Sequence, residues 1–156
     1  VVYEAAHDPA SDAYISPENS KSAWEQAPPP RVLARAHNCR ELDQDPSAHA
    51  EHLAMVAAAR ALGHWRLAGC TVYVTLEPCL MCAGLMVNAR IDRCVYGAAD
   101  PKGGALGSLY DLSRDGRLNH SFGVRSGVLA DEAARQLRDF FRERRARRAP
   151  DASCGA

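Results

Sequence analysis

Thr71-Val72-Tyr73-Val74-Thr75-Leu76-Glu77-Pro78-Cys79-Leu80-Met81-Cys82-Ala83-Gly84-Leu85-Met86-Val87-Asn88-Ala89 is the stretch from which the fold can be read. Its first five residues are β-branched or aromatic and form a strand in that pattern. Pro78 then stands where a helix can begin, because its missing N–H costs nothing in a first turn. Cys79 to Ala89 follows as an apolar helix. A strand that runs straight into a buried helix is one half of an α/β repeat.

The same reading extends in both directions. Upstream, Arg31 to Ala36 has the length and alternation of a strand. Asp45-Pro46-Ser47 interrupts the chain, with Ser47 as the expected N-cap of a helix from His49 to Leu62. Apolar residues surround that helix, which predicts burial on most sides; Gly63 ends it. Downstream, Cys94-Val95-Tyr96 reads as a short strand. Residues 97–108 hold four glycines and Asp100-Pro101, the composition of a functional loop. Val124 to Leu129 is a last expected strand. A helix then runs from Asp131 to about Arg148, its apolar line being Ala133, Leu137, Phe140 and Phe141, with Arg135, Arg138, Arg142 and Arg145 elsewhere on the wheel. Alternating strands and helices predict an α/β sandwich with parallel crossovers. Residues 4–30 carry five of the nine prolines and show no period, so they read as a long acidic loop. Val1-Val2-Tyr3 before it reads as the tail of a strand. The expected organisation is a strand remnant plus insertion over 1–30, one domain over 31–148 and a flexible tail over 149–156.

The 156 residues and 16.9 kDa suffice for one domain with a real core. No run approaches 18 apolar residues, which excludes a membrane-spanning helix. The first 30 residues lack a basic start followed by an apolar stretch, so a cytoplasmic location is expected. Formal charge is zero but unevenly placed. Residues 1–30 carry five acids against Lys21 alone, and residues 135–148 carry seven arginines against Asp139 and Glu143. That basic end keeps nucleic acid open as a partner. Of six cysteines, four are scattered singly and Cys79 and Cys82 form a C-x-x-C. The pattern points to metal or redox chemistry, not to a disulfide framework.

Two short pieces carry the chemistry: His49-Ala50-Glu51 and Pro78-Cys79-Leu80-Met81-Cys82. Each opens an expected helix. Cys79 and Cys82 are three apart, so their sulfurs share a helix face, and a helix N-terminus favours the thiolate. One nitrogen from His49 and two sulfurs suit zinc, with a fourth tetrahedral position left for water. Zinc lowers the pKa of such a water from about 15.7 to about 7. Glu51, two residues from the ligand, can stand beside the open position and move protons. Two other readings compete: a redox-active Cys79–Cys82 pair, or a closed structural zinc with Cys70 or Cys39 as fourth ligand. His37, His52, His64 and His120 have no matching partners and read as surface or hydrogen-bonded side chains, and Cys94 as core.

Ala48-His49-Ala50-Glu51, Thr75 to Gly84 and Tyr96-Gly97-Ala98-Ala99-Asp100-Pro101-Lys102 resemble the cytidine deaminase-like superfamily. Gly107-Ser108-Leu109, Leu118-Asn119-His120, Gly127-Val128-Leu129 and Asp139-Phe140-Phe141-Arg142 resemble its bacterial tRNA-specific adenosine deaminase branch. The resemblance covers roughly residues 31–148. It implies a three-layer α/β/α fold, a homodimer, one zinc ion per chain and hydrolytic conversion of the wobble adenosine of a tRNA anticodon loop to inosine. It implies His49, Cys79 and Cys82 as zinc ligands and Glu51 as the proton-transfer residue. It also implies Asn38 near the base and ribose, Asp100 and Lys102 at the mouth for a flipped nucleotide, and Phe141, Arg144 and Arg145 on a helix along the RNA. Against the family's opening helix and Val-Pro-Val-Gly strand, Val1-Val2-Tyr3 resembles the end of that strand only, so the helix and part of the first strand read as missing, and His52 stands where the family tends to have an aliphatic residue. Deamination of a free nucleobase, nucleoside or nucleotide, and a silent RNA-binding deaminase subunit, are the alternative functions.

Overall fold

The computed structural model describes residues 2–4 and 31–148, with side chains for 31–146. The loop expected after Glu4 and the tail expected over 149–156 lie outside the described residues. In chain order the elements are β1 (Val2–Glu4), β2 (Arg31–Ala34), α1 (Arg40–Asp43), α2 (Ala50–Leu62) and β3 (Cys70–Leu76), then α3 (Leu80–Ala89), β4 (Arg93–Ala98), β5 (Gly123–Arg125) and α4 (Ala130–Arg148).

The strands form one sheet in the order β2-β1-β3-β4-β5. β3, β4 and β5 are parallel, with Val72 opposite Cys94 and Val74 opposite Tyr96. β1 is antiparallel to both β2 and β3. The parallel crossovers expected from the alternating pattern therefore hold for the β3–β5 half only. Val2 and Tyr3, read as a strand tail, lie between β2 and β3.

Strand alternation divides the helices into two layers. Cys94 and Tyr96 join Val72 in a core with Met55 of α2 and Met86 of α3. Gly97, one residue on, faces the other way and meets Ala133 of α4. Met55, Leu67, Met86 and Ile91 are fully buried, each worth about 1.5–3 kcal/mol of apolar transfer. Gly97 marks the tightest approach across the α4 side. A Cβ there would lie 2.6 Å from the Thr75 carbonyl oxygen and 2.8 Å from Ala133 Cβ. Gly97→Ala is expected to cost about 1–3 kcal/mol through overpacking, seen as a lower midpoint in thermal unfolding. An unchanged midpoint would show that α4 can give way.

Three expectations need correction. Ser47 does not cap α2: its N–H and hydroxyl both donate to Asp45 Oδ1 at 2.7 Å, and His49 occupies the N-cap position. α2 is buried on one side only, through Ala54, Met55 and Ala58, while Ala57, Arg60 and Ala61 are exposed. Alanine serves helix propensity as well as burial, so an alanine-rich wheel overstates the buried face. The last strand stops at Arg125, because Gly127 and Leu129 have φ of +78° and +54° and turn the chain into α4.

α4 departs from its expected apolar line. Ala133 is buried, but Phe140 and Phe141 are 51% and 50% exposed. Nineteen residues of helix are about 28 Å long, against about 20 Å for six-residue β4. The last turns thus run past the strand they pack on. Among the described residues no helix is long and apolar enough to cross a membrane.

Candidate metal centre

Parallel strands deliver their loops to one edge, and the chemistry collects there. β3 ends at Leu76 and releases Glu77, Pro78 and Cys79. Cys79 is the N-cap residue of α3, with extended φ and ψ of −74° and 173°. His49 occupies the same position on α2, at −75° and 149°. A backbone bond of 2.9 Å from Cys39 N–H to the Ala48 carbonyl ties the Asn38 segment to the start of α2. Both helices place their positive ends at the same place, which favours anionic ligands.

His49 Nδ1 lies 3.6 Å from Cys79 Sγ and 3.7 Å from Cys82 Sγ. All three donor atoms fall within 4.8 Å of one another. Tetrahedral zinc, with bonds of about 2.3 Å to sulfur and about 2.05 Å to nitrogen, needs N···S edges of about 3.6 Å. The donor set fits zinc in both chemistry and spacing. Neither Cys39 nor Cys70 belongs to the group, so among the described residues it has three members. All five described cysteines are free thiols.

Cys82 is completely buried. Burial pushes its thiol up, and the charges of Glu51 and Cys79 and hydrogen bonds to both push it further the same way. A bound cation reverses that balance and holds the thiolate. The same contacts place Glu51 against the ligand group. Glu51 also lines a cavity of about 360 Å³ with Ala36, Ala50, Tyr73, Val128 and Leu129, and none of the three ligands borders it. Burial pushes the Cys94 thiol up to about 12, as for an inert core sulfur.

The other expected site residues stand on the surrounding loops and on α4. Asn38 Oδ1 accepts from Arg40 N–H at 3.0 Å in the turn that leads into the short α1, whose N-cap residue is Cys39. Asp100 Oδ1 accepts from Lys102 N–H at 3.0 Å, and Lys102 is exposed. Arg144 pairs with Glu41 of α1 at 3.5 Å and lies 5.8 Å over the Phe140 ring. That ion pair brings α4 to the helix that follows Asn38. Phe140 and Phe141 meet edge to face at 5.4 Å, and Arg145 is exposed. His120 Nε2 is bonded to the Ile91 carbonyl at 2.7 Å, in line with its reading as a hydrogen-bonded side chain.

Glu77, directly before Pro78-Cys79, is a site residue that the motif chemistry does not use. Glu77 is 2% exposed, and among the described residues its carboxylate takes hydrogen bonds only from the loop after β4. Burial raises its pKa, but the Ser108 hydroxyl and the N–H groups of Asp100, Ser108 and Leu106 outweigh it and hold the carboxyl below its usual range. Glu77 is thus an anion at neutral pH. Its only sequence signal was an acid directly before Pro78-Cys79.

A family model described as MafB19-like deaminase matches residues 27–145. The chain is similar to the tRNA-specific adenosine deaminase of Bacillus subtilis (strain 168), 54% identical over 114 residues that span 73% of this chain and 71% of the relative. It is similar to the tRNA-specific adenosine deaminase of Haemophilus influenzae at 44% over 114 residues, 73% of this chain and 66% of the relative. A solved structure from studies of A-to-I editing by tRNA:A34 deaminases at the wobble position of transfer RNA superposes with a TM-score of 0.65 at 45% identity, covering 67% of this chain and 76% of that one. With the His-Cys-Cys group and the sheet order beneath it already in place, identity at this level means that the chain belongs to the tRNA-specific adenosine deaminase family of the cytidine deaminase-like superfamily.

Proposed function

We propose that residues 31–148 form a zinc-dependent deaminase domain that hydrolyses the exocyclic amine of adenosine in a tRNA anticodon loop, consuming water and releasing inosine and ammonia. The observation that carries this reading is the 54% identity to the B. subtilis enzyme, in a chain whose His49, Cys79 and Cys82 meet at tetrahedral spacing. Those three side chains would hold the zinc, which when bound supplies Lewis-acid activation of a water molecule. Glu51, against Cys82, takes one proton from the attacking water and delivers it to ring N1, where it stays, then moves the second proton from the new C6 hydroxyl to the departing amine nitrogen. Asn38 orients the base and ribose. Asp100 and Lys102 border the mouth through which an unstacked nucleotide enters. Phe141 offers a half-exposed ring for stacking, and Arg144 and Arg145 offer charge to phosphates.

The test is mass-spectrometric: the zinc-loaded chain should convert an anticodon stem-loop adenosine to inosine, and a chelator should stop it. Turnover of free guanine, cytosine or cytidine instead would replace the substrate, and inactivity of metal-replete protein on all of them would favour a silent subunit. Arg145→Ala should weaken stem-loop binding a few-fold and lower the slope of log K against log salt by about 0.7, the share of one single-strand phosphate. An unchanged slope would make Arg145 part of a solvated face.

Two further features belong to this reading. Leu80, Met81, Leu109 and Tyr110 are between 38% and 54% exposed. Cys79 bridges Gly104, whose carbonyl accepts from Leu109 and Tyr110, so the four lie around one edge of the site. A second copy covering that apolar surface makes a homodimer, and a monomeric mass at micromolar concentration would count against it. The free thiols suit a reducing compartment, here the cytoplasm.

A further inference from the structure

Proton transfer and metal binding leave Glu77 unused, although its surroundings are the most fully specified at the site. A buried carboxylate is costly unless hydrogen bonds replace its water. Here four donors do so, and all come from the loop after β4. Asp100 N–H donates to Oε2 at 3.0 Å, and the Ser108 hydroxyl donates to the same oxygen. The N–H groups of Leu106 and Ser108 donate to Oε1 at 3.0 Å each. Gly104 lies against the carboxyl group, where a Cβ would overlap it. Two backbone links run alongside: Ala105 N–H to the Pro78 carbonyl at 2.9 Å, and the bridge between Cys79 and Gly104. The segment bearing a metal ligand and the loop bearing Asp100 and Lys102 are therefore one body.

We infer that Glu77 is a positioning residue for substrate: its two oxygens lock the 100–108 loop onto the Glu77–Cys79 segment and set where Asp100 stands relative to the metal centre. This rests on the reading above, in which Asp100 and Lys102 border the nucleotide's path. An apolar contact could hold the loop at the same distance, but a carboxylate with two donors on each oxygen fixes its orientation as well. Asp100 is the donor with most at stake. It alone ties the start of the loop to Glu77, while Leu106 and Ser108 tie the end.

Glu77→Gln tests this, because it keeps the shape and turns one acceptor into a donor. If the amide NH₂ faces Leu106 and Ser108, two backbone N–H groups lose their acceptor. If it faces Asp100 and the Ser108 hydroxyl, the hydroxyl can turn and accept, so only the Asp100 N–H is orphaned. The second arrangement is favoured, and the damage falls on Asp100. The expected result is a KM for the anticodon stem-loop raised about tenfold, a kcat changed less than about threefold, and zinc still near one per chain. Hydrogen exchange should speed up at the Asp100 amide and stay slow at Leu106 and Ser108. Ser108→Ala alone keeps three donors and should stay within about threefold of wild type. Combined with Glu77→Gln it removes the turning hydroxyl, and the double variant should lose more than the two single changes together. Unchanged KM and unchanged Asp100 exchange in Glu77→Gln would overturn the inference. So would a fall in kcat with parallel loss of zinc, the mark of a merely structural role. A wild-type chain that fails to deaminate the stem-loop defeats the functional reading alone, since exchange at Asp100 still decides whether Glu77 holds the loop.

Discussion

Glu51→Ala should lower inosine formation by about 10²–10⁴-fold, the usual contribution of a positioned acid–base group, while zinc stays near one per chain. The separation of these two readouts follows from geometry. The metal group is complete without Glu51, since His49, Cys79 and Cys82 hold their spacing through the N-cap positions of two helices and the α3 turn between the cysteines. Glu51 lies in the first turn of α2, against Cys82, and in the wall of the neighbouring cavity. Glu51→Gln keeps that contact but cannot carry a proton, so it should lose nearly as much. Zinc analysis and mass spectrometry on the same sample decide the matter. Near wild-type turnover in a zinc-replete alanine variant would remove Glu51 from the chemistry.

Cys82→Ala should have the second large effect, and a different one: zinc content falls toward zero, and turnover falls with it by more than the roughly 10–100-fold typical of lost outer-shell support. Cys82 is fully buried among α3 and core residues, whereas Cys79 is only partly covered. Losing the Cys82 sulfur removes a ligand that water cannot easily replace. Zinc binds the folded chain only, so its removal should also lower stability, by about 4 kcal/mol if free zinc stands at a thousand times its Kd. For a chain of this size that is a drop of about 10 °C in the unfolding midpoint. Chelation of the wild-type chain should reproduce the shift. Stoichiometric zinc in Cys82→Ala, or a midpoint indifferent to chelator, would mean that the three donors do not form the site.

The motif residues were legible because their chemistry is local. Two cysteines three apart on a helix share a face whatever surrounds them, and His49 and Glu51 two apart at a helix start cannot point the same way. β3 and α3 were legible for a similar reason: a β-branched run, a proline and an apolar run each state a backbone preference within a few residues. That locality also explains the errors. Alanines of α2 and phenylalanines of α4 have the hydrophobicity of core residues, but their exposure depends on which face of α2 meets the core and on how far α4 extends past the sheet. Ser47 has the chemistry of an N-cap, yet a carboxylate two residues back took its hydroxyl.

From residue types and short spacings alone, the sequence determined the metal chemistry, the strand-to-helix passage through Pro78 and the family resemblance. Tertiary structure alone decided that His49 Nδ1 is the nitrogen facing both sulfurs, that β1 runs antiparallel between β2 and β3, and that Glu77 belongs to a loop beginning 23 residues later and closing 31 residues later. The physical reason is that a carboxylate's partners are chosen by position in space. Nothing along the chain tells Glu77 which N–H groups will stand around it until β3 and β4 have paired and brought their ends together.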